Sequence, residues 1–323
     1  MNNNVRYTII VPVYNEEAVL HETYRRLTWV MKSIGEPYEL LFVNDGSRDR
    51  TAEIIEGLAA SDQCVKLLDF SRNFGHQIAI TAGMDNARGD AIVIIDADLQ
   101  DPPELIPQMI EKWQEGYEVV YARRSKRKGE TLFKKWTAAL FYRTLNALTE
   151  VNIPLDTGDF RLIDWKVCDA MRGIREKNRF VRGLVSWVGF RQTAIEYVRE
   201  ERFAGETKYP LKKMLRFSMN GISSFSQKPL KMASYFGFVI SLASFAYLVI
   251  SLGQKLFTNS TIAGWALLIA CLLLLNGVIL IVLGILGEYV GRIYDETKNR
   301  PLYILRNRQK VKSLRLEEVN RRV

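Results

Sequence analysis

The sequence predicts an α/β domain built on a mostly parallel, doubly wound sheet, followed by interfacial amphipathic helices and two transmembrane helices. Three observations predict it. Short apolar runs alternate with helical periodicity up to about Tyr121, basic and aromatic residues mix after Arg123, and two long charge-free runs follow. Continuous apolar runs are how buried parallel strands read, and strand–helix alternation is how a doubly wound sheet is encoded.

The elements follow in order. "YTIIVPVY" (7–14) is a strand and 16–34 a helix; "YELLFVND" (38–45) is a strand and 49–61 a helix. "VKLLDF" (65–70) precedes a helix at 76–88, "DAIVIID" (90–96) precedes one at 103–116, and "YEVVYA" (117–122) is a fifth strand. In such sheets ligands bind beyond the carboxyl ends of the strands. Tyr14, Asp45, Asp96 and Asp98 fall at such ends, so one cleft gathers them.

The second half reads differently. Residues 123–150 form a basic loop and an amphipathic helix rich in aromatics, and 209–231 repeats that chemistry; both suit a membrane interface or an ordinary packed helix. The runs 232–253 and about 262–287 carry no charge, and each is long enough to cross ~30 Å of hydrocarbon. The loop between them holds only Lys255, whereas Lys228 and Lys231 precede the pair and Arg292, Lys298 and Arg300 follow it. The positive-inside rule then puts both termini and the α/β domain in the cytoplasm, on a multi-pass protein of the inner membrane. The expected division is a catalytic domain at 1–208, an interfacial region at 209–231, a hairpin at 232–287 and a basic tail at 288–323. Gly277, Gly284, Gly287 and Gly291 suit close helix packing, which implies a homo-oligomer.

Bulk properties exclude several classes. Three dispersed cysteines form no disulfide framework or zinc spacing, and two histidines rule out a multi-histidine metal site. A net charge of +9 favours acidic partners. Nucleic acid is set aside, because the basic residues cluster around the membrane segments while the cleft is acidic. The N-terminal apolar run is short and holds Pro12, unlike a signal peptide.

The chemistry begins at "DADLQDPPE". If the extended geometry persists, Asp96, Asp98 and the Gln100 amide converge, and oxygen-only ligands suit Mg²⁺ or Mn²⁺. The bland alternative is a polar turn, with Asp101 before Pro102 as a helix-cap region. At the other strand ends Tyr14 can stack on a base, and Asn15, Glu16 and Asp45 can accept hydrogen bonds from base or ribose; Asp49 reads as an N-cap. No glycine-rich phosphate loop occurs, so cation and side chains must neutralise a diphosphate. Arg72 serves phosphate or the domain's own carboxylates, and His76 reads as a surface or packing residue. In "DTGDFRLID" (156–164) Asp159 and Arg161 pair with each other or face a ligand. Arg202 and Lys208, on the loop "RFAGETKYP", hold a phosphate at headgroup level or are simply solvated.

Together "VPVYNEE", "VNDGSRD", "SRNFGHQ", "DADLQDPPE", "TGDFRL", "RFAGETKYP" and "LGEYVGRIYDETKNRPLYI" resemble the family 2 glycosyltransferases of GT-A, Rossmann-like fold. The resemblance is to their polyprenyl-phosphate branch, and it runs from residue 11 to 304. It implies a cation at Asp96, Asp98 and Gln100 and nucleotide contacts from Pro12, Tyr14, Glu16, Asp45 and Asp96. It also implies catalytic roles for Asp159, beside the reacting centre, and for Asp98, with Arg161, Arg202 and Lys208 toward phosphate. The implied partners are a nucleotide sugar, a polyprenyl phosphate acceptor and membrane lipids, and the implied reaction is inverting hexose transfer, with glucose from UDP-glucose ahead of mannose or GlcNAc donors. A processive polysaccharide synthase fits worse, because there is no "QxxRW" stretch and one helix pair is too few for a polymer channel.

Overall fold

A computed structural model describes residues 5–126, 157–198 and 265–306, together with 230, 235–240, 242–243 and 246. The first elements follow the expected order: β1 (Tyr7–Val13), α1 (Leu20–Ile34), β2 (Tyr38–Asn44), α2 (Thr51–Ser61), β3 (Val65–Asp69), α3 (His76–Asn86) and β4 (Ala91–Ile94). A short 3-10 turn at Pro103–Leu105 leads into α4 (Ile106–Gln114), and β5 (Val119–Lys126) follows. α1 shows the local logic. Leu20, Leu27, Val30 and Met31 recur at helical spacing and are buried, and the helix stops at Gly35, whose φ of 76° gives the left-handed cap that glycine adopts most readily.

The seven-stranded sheet has the order β3-β2-β1-β4-β6-β5-β7. Two strands were not expected. β6 (Thr157–Asp164), read from sequence as a polar stretch, is buried along its whole length and lies antiparallel between β4 and β5. β7 (Gln192–Val198) pairs parallel to β5 at the edge. The sheet is therefore mostly parallel but mixed, and β5 is not β4's neighbour. Between these strands lie α5 (Trp165–Gly173), capped by the Asp164 carboxylate on the Lys166 amide, and α6 (Val181–Trp187).

Alternating strand residues feed two apolar layers. Ile9, Val11, Phe42, Val93 and Leu162 pack with Leu27, Met31, Ile55 and Met109 on one face. Ile10, Val43, Ile92, Ile94 and Ile163 pack with Ile80, Met84, Met171 and Leu184 on the other. Each such side chain contributes roughly 1.5–3 kcal/mol of burial free energy, which fixes the strand ends that carry the polar residues.

Among the described residues one helix, α7 (Trp265–Thr297), is long and apolar enough to cross a membrane, and its candidate span Leu275–Thr297 has no residue buried against the rest of the chain. The expected first span, 232–253, lies mostly outside the described residues, although 235–240 is helical. After α7 the chain returns to the α/β domain. The Ser71 amide donates to Ile304 O at 2.9 Å, the Arg306 amide to Asp69 O at 2.8 Å, and Tyr303 stacks on Phe70 at 5.3 Å. This strap extends the sheet edge at β3 by a single bridge, Phe70 to Leu305.

Candidate active site

The carboxyl ends of β1, β2 and β4 gather the residues expected there. Pro12 lies buried inside β1, opposite Val43. A proline is tolerated there because β4 pairs with β1 only from Tyr7 to Ile10, so the missing N–H interrupts no ladder on that side. Tyr14 and Glu16 follow on a half-buried turn, where the Asn15 amide donates to Ser47 Oγ at 2.9 Å and the Glu16 amide to Thr51 Oγ1 at 2.9 Å. Asp49 accepts the Thr51 amide at 3.1 Å, but it lies one residue before Arg50, the N-cap of α2, and so is not itself the cap expected from sequence.

Asp45 is buried. Its carboxylate takes the Phe74 amide at 2.6 Å and the Gly75 amide at 3.0 and 3.2 Å. Burial raises its pKa, and those amide bonds pull against the rise. The geometry thus makes Asp45 the anchor of the turn that leads into α3. That turn passes through Gly75 at φ 105° and delivers His76 as the first residue of the helix.

The acidic segment departs from the extended geometry expected of it. β4 ends at Ile94, and Leu99 has φ 57° with its side chain buried. A left-handed leucine is a strained conformation of the kind that collects at functional sites. The resulting turn places the Gln100 amide on Asp98 Oδ1 at 3.2 Å, and Thr23 Oγ1 holds Ala97 O at 2.8 Å. The segment from Asp96 to Gln100 is therefore a turn rather than a continued strand, and strand alternation does not bring Asp96, Asp98 and Gln100 together. Asp101 is not a cap: it is buried, accepts the Tyr197 hydroxyl and lies 3.7 Å from Arg124, tying the acidic turn to β7 and β5.

Asp159, on β6, sits across from this turn. Arg182 Nε donates to its Oδ1 at 2.8 Å, and Arg182 Nη2 and Gln77 Nε2 each reach Oδ2 at 3.3 Å. His76 Nε2 lies 3.1 Å from Asp159 Oδ2 and 3.5 Å from Asp96 Oδ1. Burial alone would raise the Asp159 pKa, but the Arg182 charge and the His76 contact hold it well below the usual carboxylate range. Burial opposes the His76 charge as well; Asp96 and Asp159 outweigh it and push the imidazole up from 6.5 to about 9. Asp96 is raised to about 6 by burial, with Asp159, Asp101 and Asp98 reinforcing and His76 opposing.

Arg161 does not pair with the Asp159 carboxylate. It is buried, donates to the Gly158 and Asp159 carbonyls at 3.0 and 3.3 Å, and is lowered to about 10 by burial. His76 and Arg182 are the residues that sequence reading missed. A lone histidine has no spacing signal, and Arg182 is 23 positions from its partner. The available signal was indirect: a buried Asp159 requires a cation, and Arg161 was not the only candidate. Arg202 and Lys208 lie outside the described residues.

Asp96 Oδ1 is buried and accepts no hydrogen bond among the described residues, and Asp98 is half-buried beside it in sequence. No cluster of three or more metal-ligating side chains occurs among those residues. The donor set therefore fits a hard cation held by one or two carboxylates and substrate phosphates, rather than an all-protein cage.

Comparison with known proteins decides the family. The model of glycosyl transferase family 2 matches residues 8–172. The chain belongs to that family. This family 2 glycosyltransferase is 65% identical over 316 residues to the uncharacterized glycosyltransferase YkcC of Bacillus subtilis, covering 98% of each chain. It is 41% identical over 303 residues to the bactoprenol glucosyl transferase of Shigella phage SfV, covering 94% of this chain and 99% of that one. Among solved structures it is similar to glucosyl-3-phosphoglycerate synthase of Mycobacterium tuberculosis in complex with Mn²⁺, UDP-glucose and phosphoglyceric acid. That likeness has 18% identity and a TM-score of 0.44, over 67% of this chain and 76% of that one.

Proposed function

We propose that this glycosyltransferase moves a hexose, glucose from UDP-glucose, onto a polyprenyl monophosphate at the cytoplasmic face of the inner membrane, with inversion at the anomeric carbon. One observation carries the reading: a family 2 site with an acidic turn and a long apolar helix occur in one chain that aligns almost end to end with a bactoprenol glucosyl transferase. The exposed apolar surface of α7, from Leu268 through Ile279–Ile281 to Ile293, suits hydrocarbon. On this reading 232–253 is the partner span, both termini are cytoplasmic, and Gly277, Gly284, Gly287 and Gly291, whose Cβ positions are open, pack against another subunit.

In the reaction an acceptor phosphate oxygen attacks the anomeric carbon in line with the departing UDP, and UDP leaves with the bonding pair. Tyr14 and Glu16 lie where the nucleotide enters, and Asp96, Asp98 and Gln100 face its diphosphate. A bound Mg²⁺ or Mn²⁺ would supply charge stabilisation on the leaving diphosphate. The chain's main task is positioning. The acceptor needs little base catalysis, since the second pKa of a phosphomonoester is near ~6.

The test is a donor panel. The full-length protein in detergent, with undecaprenyl phosphate and Mg²⁺ or Mn²⁺, is given labelled UDP-glucose, UDP-GlcNAc or GDP-mannose. A lipid-soluble product from UDP-glucose, abolished by EDTA and by Asp98→Ala, is expected. Product from another donor overturns the sugar assignment, and no product from any donor overturns the reaction.

A further inference from the structure

We propose that His76 is a positioning residue that holds Asp96 for its cation, and that Asp159 acts through His76 rather than by accepting a proton from the acceptor. The inference rests on the reaction proposed above and assigns the roles of residues within its site.

The Asp159 carboxylate is held at both oxygens. Three donors, Arg182 Nη2, Gln77 Nε2 and His76 Nε2, crowd Oδ2, more than its roughly two lone pairs accommodate, and Arg182 Nε holds Oδ1. Its side chain is only 6% exposed, against 34% for His76 and 33% for Asp96. Of the three, the imidazole and Asp96 are the more exposed, and Asp159 is the buried one.

The clamp also fixes where the imidazole sits. Arg182 Nη1 donates to Thr157 O at 2.9 Å, and the Val181 amide donates to Gln77 Oε1 at 2.9 Å, so β6, α6 and the start of α3 are locked together around Asp159. From the other side Asp45 pins the Phe74 and Gly75 amides immediately before His76. Held from both directions, Nε2 is left 3.5 Å from Asp96 Oδ1, the buried oxygen that accepts no hydrogen bond among the described residues. That separation exceeds a normal N–H···O bond. Nε2 carries one proton, directed to the nearer Asp159 Oδ2 at 3.1 Å, so His76 faces Asp96 Oδ1 without a full hydrogen bond to it. Ligating carboxylates are commonly steadied by outer-shell partners, and His76, fixed by Asp159, is the group placed to fill that role for Asp96.

The experiment measures Mn²⁺ affinity in the presence of UDP, by electron paramagnetic resonance of free Mn²⁺, on full-length protein in detergent. His76→Ala is expected to weaken Mn²⁺ binding by about 10–100-fold, the usual cost of losing an outer-shell partner. Metal-free UDP binding should stay within about threefold, which a generally damaged site would not preserve. His76→Gln keeps an N–H donor near the Nε2 position and should recover most of the loss. The double variant with Asp159→Ala should bind Mn²⁺ no worse than the weaker single variant, because both act through one contact. Wild-type Mn²⁺ affinity in His76→Ala overturns the inference while leaving the reaction intact, as do losses that multiply in the double variant. A wild-type protein that binds no Mn²⁺ with UDP overturns both the inference and the metal-assisted reading. His76→Ala leaves the Arg182–Asp159 pair in place, so its result stands even if Asp159→Ala fails to fold.

Discussion

The two sides of the sheet solve burial differently. In β3-β2-β1-β4 the strands are apolar runs, and the polar groups sit mainly where the chain leaves the sheet, as Asp45 and Asp96 do. In β6, next to them, Thr157, Asp159, Arg161 and Asp164 are all buried within one strand. Their burial is tolerated because partners come from distant positions: Arg182 and Gln77 for Asp159, backbone carbonyls for Arg161, and the Trp113 indole for Asp164 at 2.7 Å. Hydrophobic patterning specifies the first side, and a polar network specifies the second. If that contrast is right, the two sides should fail in different ways when cut.

The largest effect is expected on the polar side. Arg182→Ala removes two bonds from a buried carboxylate and one from Thr157 O, which should cost about 3 kcal/mol and most activity. Arg182→Lys should recover part of both. The pH dependence has a definite sign. Asp159 has a folded pKa below its unfolded value, so its stabilisation is complete above about pH 4 and is lost as pH falls through the folded value. The gap between wild type and Arg182→Ala in thermal unfolding should therefore narrow on acidification below about pH 4. A loss under about 1 kcal/mol at pH 7 would mean that the network does not hold this side together.

On the apolar side the comparable cut is steric. Gly46 has φ 67°, and an added Cβ would lie 2.4 Å from the Arg72 carbonyl carbon and 2.6 Å from the Asn73 nitrogen. Backbone atoms cannot swing aside, so Gly46→Ala should cost about 2–3 kcal/mol through strain and overpacking. That cost should vary little with pH, unlike that of Arg182→Ala. A smaller loss is expected at the strap that covers the β3 edge. Tyr303→Phe keeps the ring stacked on Phe70 but deletes the hydroxyl that meets Asp85 at 3.2 Å and Asn86 at 3.3 Å. It should cost about 1 kcal/mol and speed amide exchange at Ser71 and Arg306. Unchanged exchange there would show that the strap is held by its backbone bonds alone.

The contrast also explains what could be read in advance. β1 to β4 and their helices were legible to within a few residues, because apolar runs and helical spacing are local signals. β6 and β7 were not: "DTGDFRLID" looks solvent-facing until its partners are known, and β7, "QTAIEYV", alternates weakly at an edge. The same limit applied within the site. The position of Asp96 and Asp98 just past an apolar strand was legible, whereas the contacts of Asp45 and His76 depend on partners 29 and 83 residues away in sequence. The left-handed turn at Leu99 carries no glycine to announce it.

The finest test lies within the apolar side, where Glu39 is a buried exception. Thr8 Oγ1 donates to its Oε1 at 2.7 Å and the Arg88 amide does so at 3.2 Å, yet no ion pair like that of Asp159 with Arg182 neutralises it among the described residues. Burial raises its pKa, with the Thr8 bond opposing. The sign is therefore opposite to that of Asp159. The folded state favours the protonated carboxyl, so stability is lost as pH rises from the unfolded value near ~4.3 through the folded one. Glu39→Gln keeps an Oε1 acceptor for both donors and removes the charge. It should raise Tm at pH 7 by about 2–4 °C, the shift expected for roughly 1 kcal/mol in a domain of this size, and the gain should vanish near pH 4. A loss of stability at pH 7 would mean that the Glu39 charge is held by a counter-charge after all. The difference between the two sides would then be one of degree, because both would bury carboxylates by the same electrostatic means.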